Sequence, residues 1–106
     1  GRPTAEIIYK IFSDLNITKG SSCIKVDDTI PGLLEGVNAG MWVVGVIFSG
    51  NEFGKTEVEF NKLSYKDKFK FRKMIKNKFK KVGADYVIDT IKDLPKVIKL
   101  IEKRIT

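Results

Sequence analysis

Histidine is absent from the 106 residues, and cysteine occurs once, at Cys23. The first absence excludes Ser–His and Cys–His nucleophile pairs and imidazole metal sites. The second excludes an internal disulfide and any Cys-rich zinc site, and favours a reducing, cytoplasmic setting. No stretch approaches the roughly 20 apolar residues that span a bilayer. Nothing at the start reads as a signal peptide, so no membrane partner is expected. Internal repeats, linkers and low-complexity tracts are missing as well. Acids are the minority charge, 13 against 20 Lys and Arg, for a net charge of +7. Any chemistry must therefore use carboxylates, cations, hydroxyls or backbone groups.

What is present is ordinary globular material, 42% hydrophobic and 31% charged, sized for one small domain or a piece of one. Residues Thr4 to Asn16 read as a helix, with Ile7, Ile8, Ile11, Phe12 and Leu15 at three- and four-residue spacing and Thr4 as its cap. After the loop "TKGSS", Cys23 to Val26 reads as a short strand running into Asp27 and Asp28. A helix follows to Ala39, with Pro31 in its first turn, Thr29 or Asp28 as its cap and Gly40 beyond its end. "MWVVGVIF", Met41 to Phe48, is near-continuous and rich in β-branched residues, the pattern of a strand buried on both faces. The loop "SGNEFGKT" leads to a helix from Tyr65, with Phe71, Ile75, Phe79 and Val82 in one stripe and Gly83 at its end. "DYVI" is a strand, and Leu94 to Ile105 is a closing helix with Pro95 in its first turn. This alternation predicts an α/β fold with three strands in a parallel, helix-flanked sheet. Three strands are few for such a sheet, and the first would leave an unpaired edge. The order therefore reads as the second half of a larger domain.

In open α/β sheets, ligands bind beyond the carboxyl ends of the strands. Asp27 and Asp28 stand at such an end. Side chains alternate along an extended chain, so the two carboxylates point different ways. Oxygen ligands suit a hard cation, and Mg²⁺ takes one or two protein carboxylates while keeping waters and substrate phosphate. The plainer reading is that both aspartates cap the helix near Pro31. The dipeptide alone does not decide between them.

Between Lys62 and Lys81, ten Lys or Arg residues face the single acid Asp67, interleaved with Phe69, Phe71 and Phe79. Such a stripe can track phosphates, with salt-sensitive affinity, or lie on an anionic membrane surface. The favoured reading is an amphipathic helix with solvated lysines, so nucleic acid is not the expected partner. Gly36 is expected to permit close helix–sheet approach, Trp42 and Met41 to join the core, and Cys23 to be a small buried hydrophobe.

The segments "GRP", "KVDDTIPGLLEGVNAGMWVVGV", "SGNEFGKTEVEF" and "GADYVIDTIKDL" together resemble the C-terminal part of the phosphonoacetaldehyde hydrolase (phosphonatase) family of the haloacid-dehalogenase superfamily. The likeness covers essentially the whole chain. It implies the C-terminal half of a Rossmann-like parallel sheet and cleavage of a carbon–phosphorus bond to acetaldehyde and phosphate, through an aspartyl-phosphate, with Mg²⁺ as cofactor. By the same resemblance, Arg2 is the catalytic and substrate-binding cation near the phosphoryl group, where its fork can bond two oxygens. Asp28 is the metal ligand, Asp27 its outer-shell partner, and Thr29 a substrate-side residue that orients the loop. Some relatives carry a further acid four positions after the metal ligand, where this chain has Gly32.

The resemblance also implies parts without a counterpart among these residues: a nucleophilic aspartate on a "DxD" loop, a hydroxyl residue after the second core strand, and a cap-domain lysine that forms a Schiff base with the aldehyde. The cap domain and N-terminal core strands are therefore expected on a preceding segment. That segment is a required partner, beside a small phosphonate or phosphate substrate, and without it the 106 residues are expected to be inactive. The resemblance further implies that the full-length protein is a dimer, typically formed through the cap. The alternative is a non-catalytic module whose Lys62–Lys81 helix binds nucleic acid or acidic partners.

Overall fold

The structure is a computed structural model that describes residues 7–10, 23–48 and 57–105. Its centre is a sheet of order β1-β2-β3-β4, with β1 at Ile7–Lys10, β2 at Cys23–Asp27, β3 at Trp42–Val46 and β4 at Tyr86–Ile88. β2, β3 and β4 are mutually parallel, with Ile24 opposite Trp42 and Val44 opposite Tyr86. These are the three parallel strands expected from the sequence. Helices α1 (Ile30–Asn38), α2 (Glu57–Asn61), α3 (Tyr65–Lys81) and α4 (Leu94–Ile105) follow in chain order, and a 3₁₀ turn at Ile91–Asp93 leads into α4.

One expectation is corrected. Within the helix anticipated over residues 4–16, residues 7–10 are a strand, paired antiparallel to β2 with Ile7 opposite Val26 and Lys10 opposite Cys23. "IIYK" consists largely of β-branched and aromatic residues, and a four-residue window with adjacent apolar pairs fits either period. The backbone groups along the open side of β2 decide the matter, because β1 supplies their hydrogen-bond partners. The rest of that anticipated helix lies outside the described residues, as do its Thr4 cap and the loops "TKGSS" and "SGNEFGKT".

Side-chain alternation divides β3 between two cores. Trp42, Val44 and Val46 join Ile24 and Val26 of β2 and Leu94, Val97 and Ile101 of α4 on one face. Val43 and Ile47 meet Leu33 of α1 and Ile75 and Phe79 of α3 on the other. Every residue of β3 is buried, as its unbroken apolar run requires. Gly45 is the one position on β3 where a side chain would not fit: an added Cβ would stand 2.5 Å from Cδ2 of Phe79. Gly36 plays the expected part on α1, since a Cβ there would lie 2.8 Å from the stem of Lys25. Cys23 is only half-buried, contrary to expectation, because it opens β2 at the end of the sheet away from the helix-capping turn.

The basic segment folds as the amphipathic reading requires. Ile75 and Phe79 of α3 are buried and Phe71 and Val82 pack beside them, while the lysines face solvent. Phe69 is not in that stripe and is 60% exposed. Ser64 caps the helix by accepting a hydrogen bond from the Asp67 N–H at 3.2 Å. Among the described residues no helix is long and apolar enough to cross a membrane.

Candidate functional site: the acidic turn at the end of β2

β2 ends at Asp27, opposite Gly45 of β3, and α1 begins three residues later. The turn between them is built from its own side chains. Thr29 is the N-cap, in extended conformation, and its hydroxyl accepts from the Gly32 N–H at 3.1 Å. The same hydroxyl donates to Oδ1 of Asp27 at 3.0 Å, and the Thr29 N–H donates to that oxygen at 2.9 Å. Pro31 in the first turn has no N–H to satisfy. Asp27 is thus a turn-forming residue, 1% exposed, with its carboxylate beneath the first turn of α1.

Asp28 differs. It is 3% exposed, and among the described residues neither of its carboxylate oxygens has a hydrogen-bond partner. The reading in which both aspartates cap α1 is therefore replaced: Thr29 caps, Asp27 holds Thr29, and Asp28 does neither. A buried carboxylate left without a hydrogen bond costs several kcal/mol, far more than the N-terminus of a short helix returns, and the described residues supply none to Asp28. Such a group calls for a cation. Asp28 therefore fits a hard divalent ion, which needs only one or two protein carboxylates and completes its shell with water and substrate oxygens. Among the described residues no three Asp, Glu, Cys or His side chains converge as a ready-made cage. Arg2 lies outside the described residues.

A third acid at the same rim makes the contrast sharper. Beyond β3 and β4 the ladder continues, with the Ile47 N–H donating to the Ile88 carbonyl at 3.0 Å and the Phe48 N–H to the Asp89 carbonyl at 2.9 Å. The Asp89 carboxylate is gripped by Arg72 of α3, whose Nε and Nη2 donate at 3.1 and 3.0 Å. The guanidinium also lies 5.2 Å from the Phe60 ring centroid, and Phe60 packs against Phe48 and Phe71. Asp89 is therefore neutralised by its own chain. Sequence reasoning missed this pair, because 17 residues separate its members and no local pattern links them. It also missed Lys25, a buried lysine whose ammonium reaches Glu35 of α1 at 3.5 Å. Its place between apolar neighbours in a strand was the available signal.

The fold and turn together define an α/β unit whose sheet is parallel over β2, β3 and β4, with the antiparallel β1 beside them and an acidic, ligand-side rim. Sequence comparison makes the class specific. No protein-family model matches the chain. Over 99% of its length it is 45% identical to the phosphonoacetaldehyde hydrolases of Vibrio parahaemolyticus and Psychromonas ingrahamii, and 46% identical to that of Aliivibrio salmonicida. It spans 39%, 36% and 39% of those three proteins, respectively. A solved structure of a phosphonoacetaldehyde hydrolase-like protein from Oleispira antarctica superposes with a TM-score of 0.71 at 44% identity, covering 77% of this chain and 30% of that one. The chain is thus related in sequence and fold to part of the phosphonoacetaldehyde hydrolases, as the motifs indicated.

Proposed function

We propose that this chain supplies the cation-binding and charge-stabilising part of a phosphonoacetaldehyde hydrolase-like enzyme. The overall reaction takes phosphonoacetaldehyde and water to acetaldehyde and phosphate. The carbon–phosphorus electron pair leaves with carbon, which takes up a proton, and phosphorus gains an oxygen. In this reading Asp28 holds Mg²⁺, which when bound offsets negative charge on the phosphoryl oxygens. Asp27 and Thr29 lock the turn that presents Asp28, and the half-buried Thr29 borders the substrate side. Arg2 donates to the phosphoryl group and stabilises the charge that builds there. The attacking carboxylate and the lysine that captures the aldehyde come from outside these 106 residues, which by themselves do not turn over substrate.

One observation carries the reading: a buried carboxylate at the end of β2 with no hydrogen-bond partner among the described residues, in a chain 45% identical to proteins named for this hydrolysis. The experiment is phosphate release from phosphonoacetaldehyde, with the nucleophile-bearing segment supplied in the same chain or in trans. Asp28→Ala and Arg2→Ala should each abolish activity; activity equal to wild type in either would remove the assignment of that residue. Release from phosphate esters but not from phosphonates would keep the chemistry and replace the substrate.

The outer face of α3 favours a second reading. Tyr65 and Phe69 are 88% and 60% exposed. With Lys66, Lys70, Lys73 and Met74 they line an open concavity of about 570 Å³. A polyanion fits such a surface. Binding of a single-stranded oligonucleotide that weakens with salt and with Lys66, Lys70 and Lys73 changed to Gln would support it; no binding at low salt would exclude it.

A further inference from the structure

The face of β2 beneath α1 is charged. Ile24 and Val26 join the core with α4, and Lys25 and Asp27, which alternate with them, lie on the α1 side. Strand positions covered by a helix in a parallel sheet are ordinarily apolar, yet these two charged residues are 2% and 1% exposed. α1 meets both through glycines. A Cβ on Gly32 would overlap the Asp27 carboxylate, and one on Gly36 would stand 2.8 Å from Cβ and Cγ of Lys25. At these two positions α1 has no side chain to interlock with the strand. Its apolar grip comes from Leu33, in the core with Val43 of β3. A polar contact ties the far end of α1 to β2: the Lys25 ammonium stands 3.5 Å from the Glu35 carboxylate.

That pair is a poor stabiliser. Its lysine side chain is 3% exposed and its glutamate 61%, so the lysine bears the cost of burial while water screens its partner. An apolar side chain of similar volume in place of a buried ion is commonly neutral or stabilising. The use of the pair lies in direction. α1 starts at the turn that holds Asp28 and is bonded to it through the Thr29 cap. Glu35 stands about 9 Å along the helix axis from that cap. A sideways shift of about 2 Å at Glu35 would rotate the helix, and the turn with it, by about 13°. Binding and catalytic groups tolerate about 10–20°. Resting on the reading of Asp28 as a cation ligand, we infer that Lys25 and Glu35 are the positioning pair of that site: they hold the far end of α1 on β2 and so fix the direction in which the turn presents Asp28.

The sign of the effect separates position from charge. By its field alone the Lys25 ammonium opposes a nearby divalent cation, so removing it would tighten Mg²⁺ binding. Loss of position weakens binding instead. The test is the rise in thermal midpoint with added Mg²⁺ alone, read as an apparent affinity against an EDTA reference. Wild type is compared with Lys25→Met, Glu35→Gln and the double variant. Lys25→Met should melt in EDTA no lower than wild type, while its apparent Mg²⁺ affinity falls about tenfold, as for other groups that orient metal ligands. Glu35→Gln, an exposed change that keeps the fold should Lys25→Met lose it, should weaken Mg²⁺ binding as well. The double variant should bind no more weakly than Lys25→Met, because the two residues act as one unit. Mg²⁺ affinity in Lys25→Met equal to or above that of wild type, or losses that add in the double variant, would overturn the inference and leave the Asp28 assignment intact. A Lys25→Met midpoint below wild type in EDTA would make the pair a stabilising contact and overturn the inference too. A wild-type protein indifferent to Mg²⁺ would remove the Asp28 assignment, and this inference with it.

Discussion

Replacing Asp28 with Asn should stabilise the metal-free protein, although the same change abolishes its proposed use. The carboxylate is 3% exposed and its oxygens have no hydrogen-bond partner among the described residues. Burying an ionised group in this way costs several kcal/mol even after relaxation. The N-terminus of α1 returns only about 0.3–1 kcal/mol of that. An amide of the same shape still lacks partners, at about 1–3 kcal/mol, but sheds the charge. The difference is a gain of about 1–2 kcal/mol. For a domain of this size each kcal/mol moves the midpoint by about 4–8 °C, so the variant should melt about 4–16 °C higher in EDTA. Mg²⁺ reverses the order. At ten times its Kd a ligand stabilises the wild type by about 1.4 kcal/mol, and Asp28→Asn should lose that response. The assay is thermal unfolding followed by circular dichroism, with and without Mg²⁺. A variant that melts lower than wild type in EDTA, or that keeps the full Mg²⁺ response, would refute the view of Asp28 as a buried charge, without a hydrogen bond among the described residues, that awaits a cation.

Thr29→Ala removes the α1 cap and the hydroxyl held by Asp27, so it should cost about 1–2 kcal/mol in urea unfolding, with Thr29→Ser recovering most of it. Gly45→Ala should destabilise by about 1–3 kcal/mol, because its Cβ would press on the buried Phe79 ring; Gly45→Ala combined with Phe79→Leu should recover part of the loss, and a neutral Gly45→Ala would contradict the packing described. Arg72→Ala leaves Asp89 half-exposed rather than buried, and so should cost no more than about 1 kcal/mol. A larger loss in denaturant titration would mean that the pair anchors α2 through Phe60 as well.

The recurrence of apolar residues was enough to locate most elements. The unbroken run at Met41–Phe48 could bury itself only as an interior strand, and the stripe of Phe71, Ile75, Phe79 and Val82 could satisfy only a helix lying on that sheet. The position of the acidic turn was equally plain, since an apolar strand running into Asp27 and Asp28 before Pro31 leaves few other conformations. These features depend on neighbours within a few residues, and that is the range over which chain geometry links sequence to conformation. Contacts between distant residues settled the rest. Residues 7–10 became a strand because the open side of β2 needed backbone partners, a demand invisible within "IIYK" itself. The three rim acids are chemically alike in the sequence, yet Thr29 holds one, Arg72 holds another and only Asp28 is left without a hydrogen bond among the described residues. Gly32 reads as a weak helix residue until folding sets the Asp27 carboxylate against it. Charge burial and steric exclusion act through space, so only the folded chain assigns each acid its role.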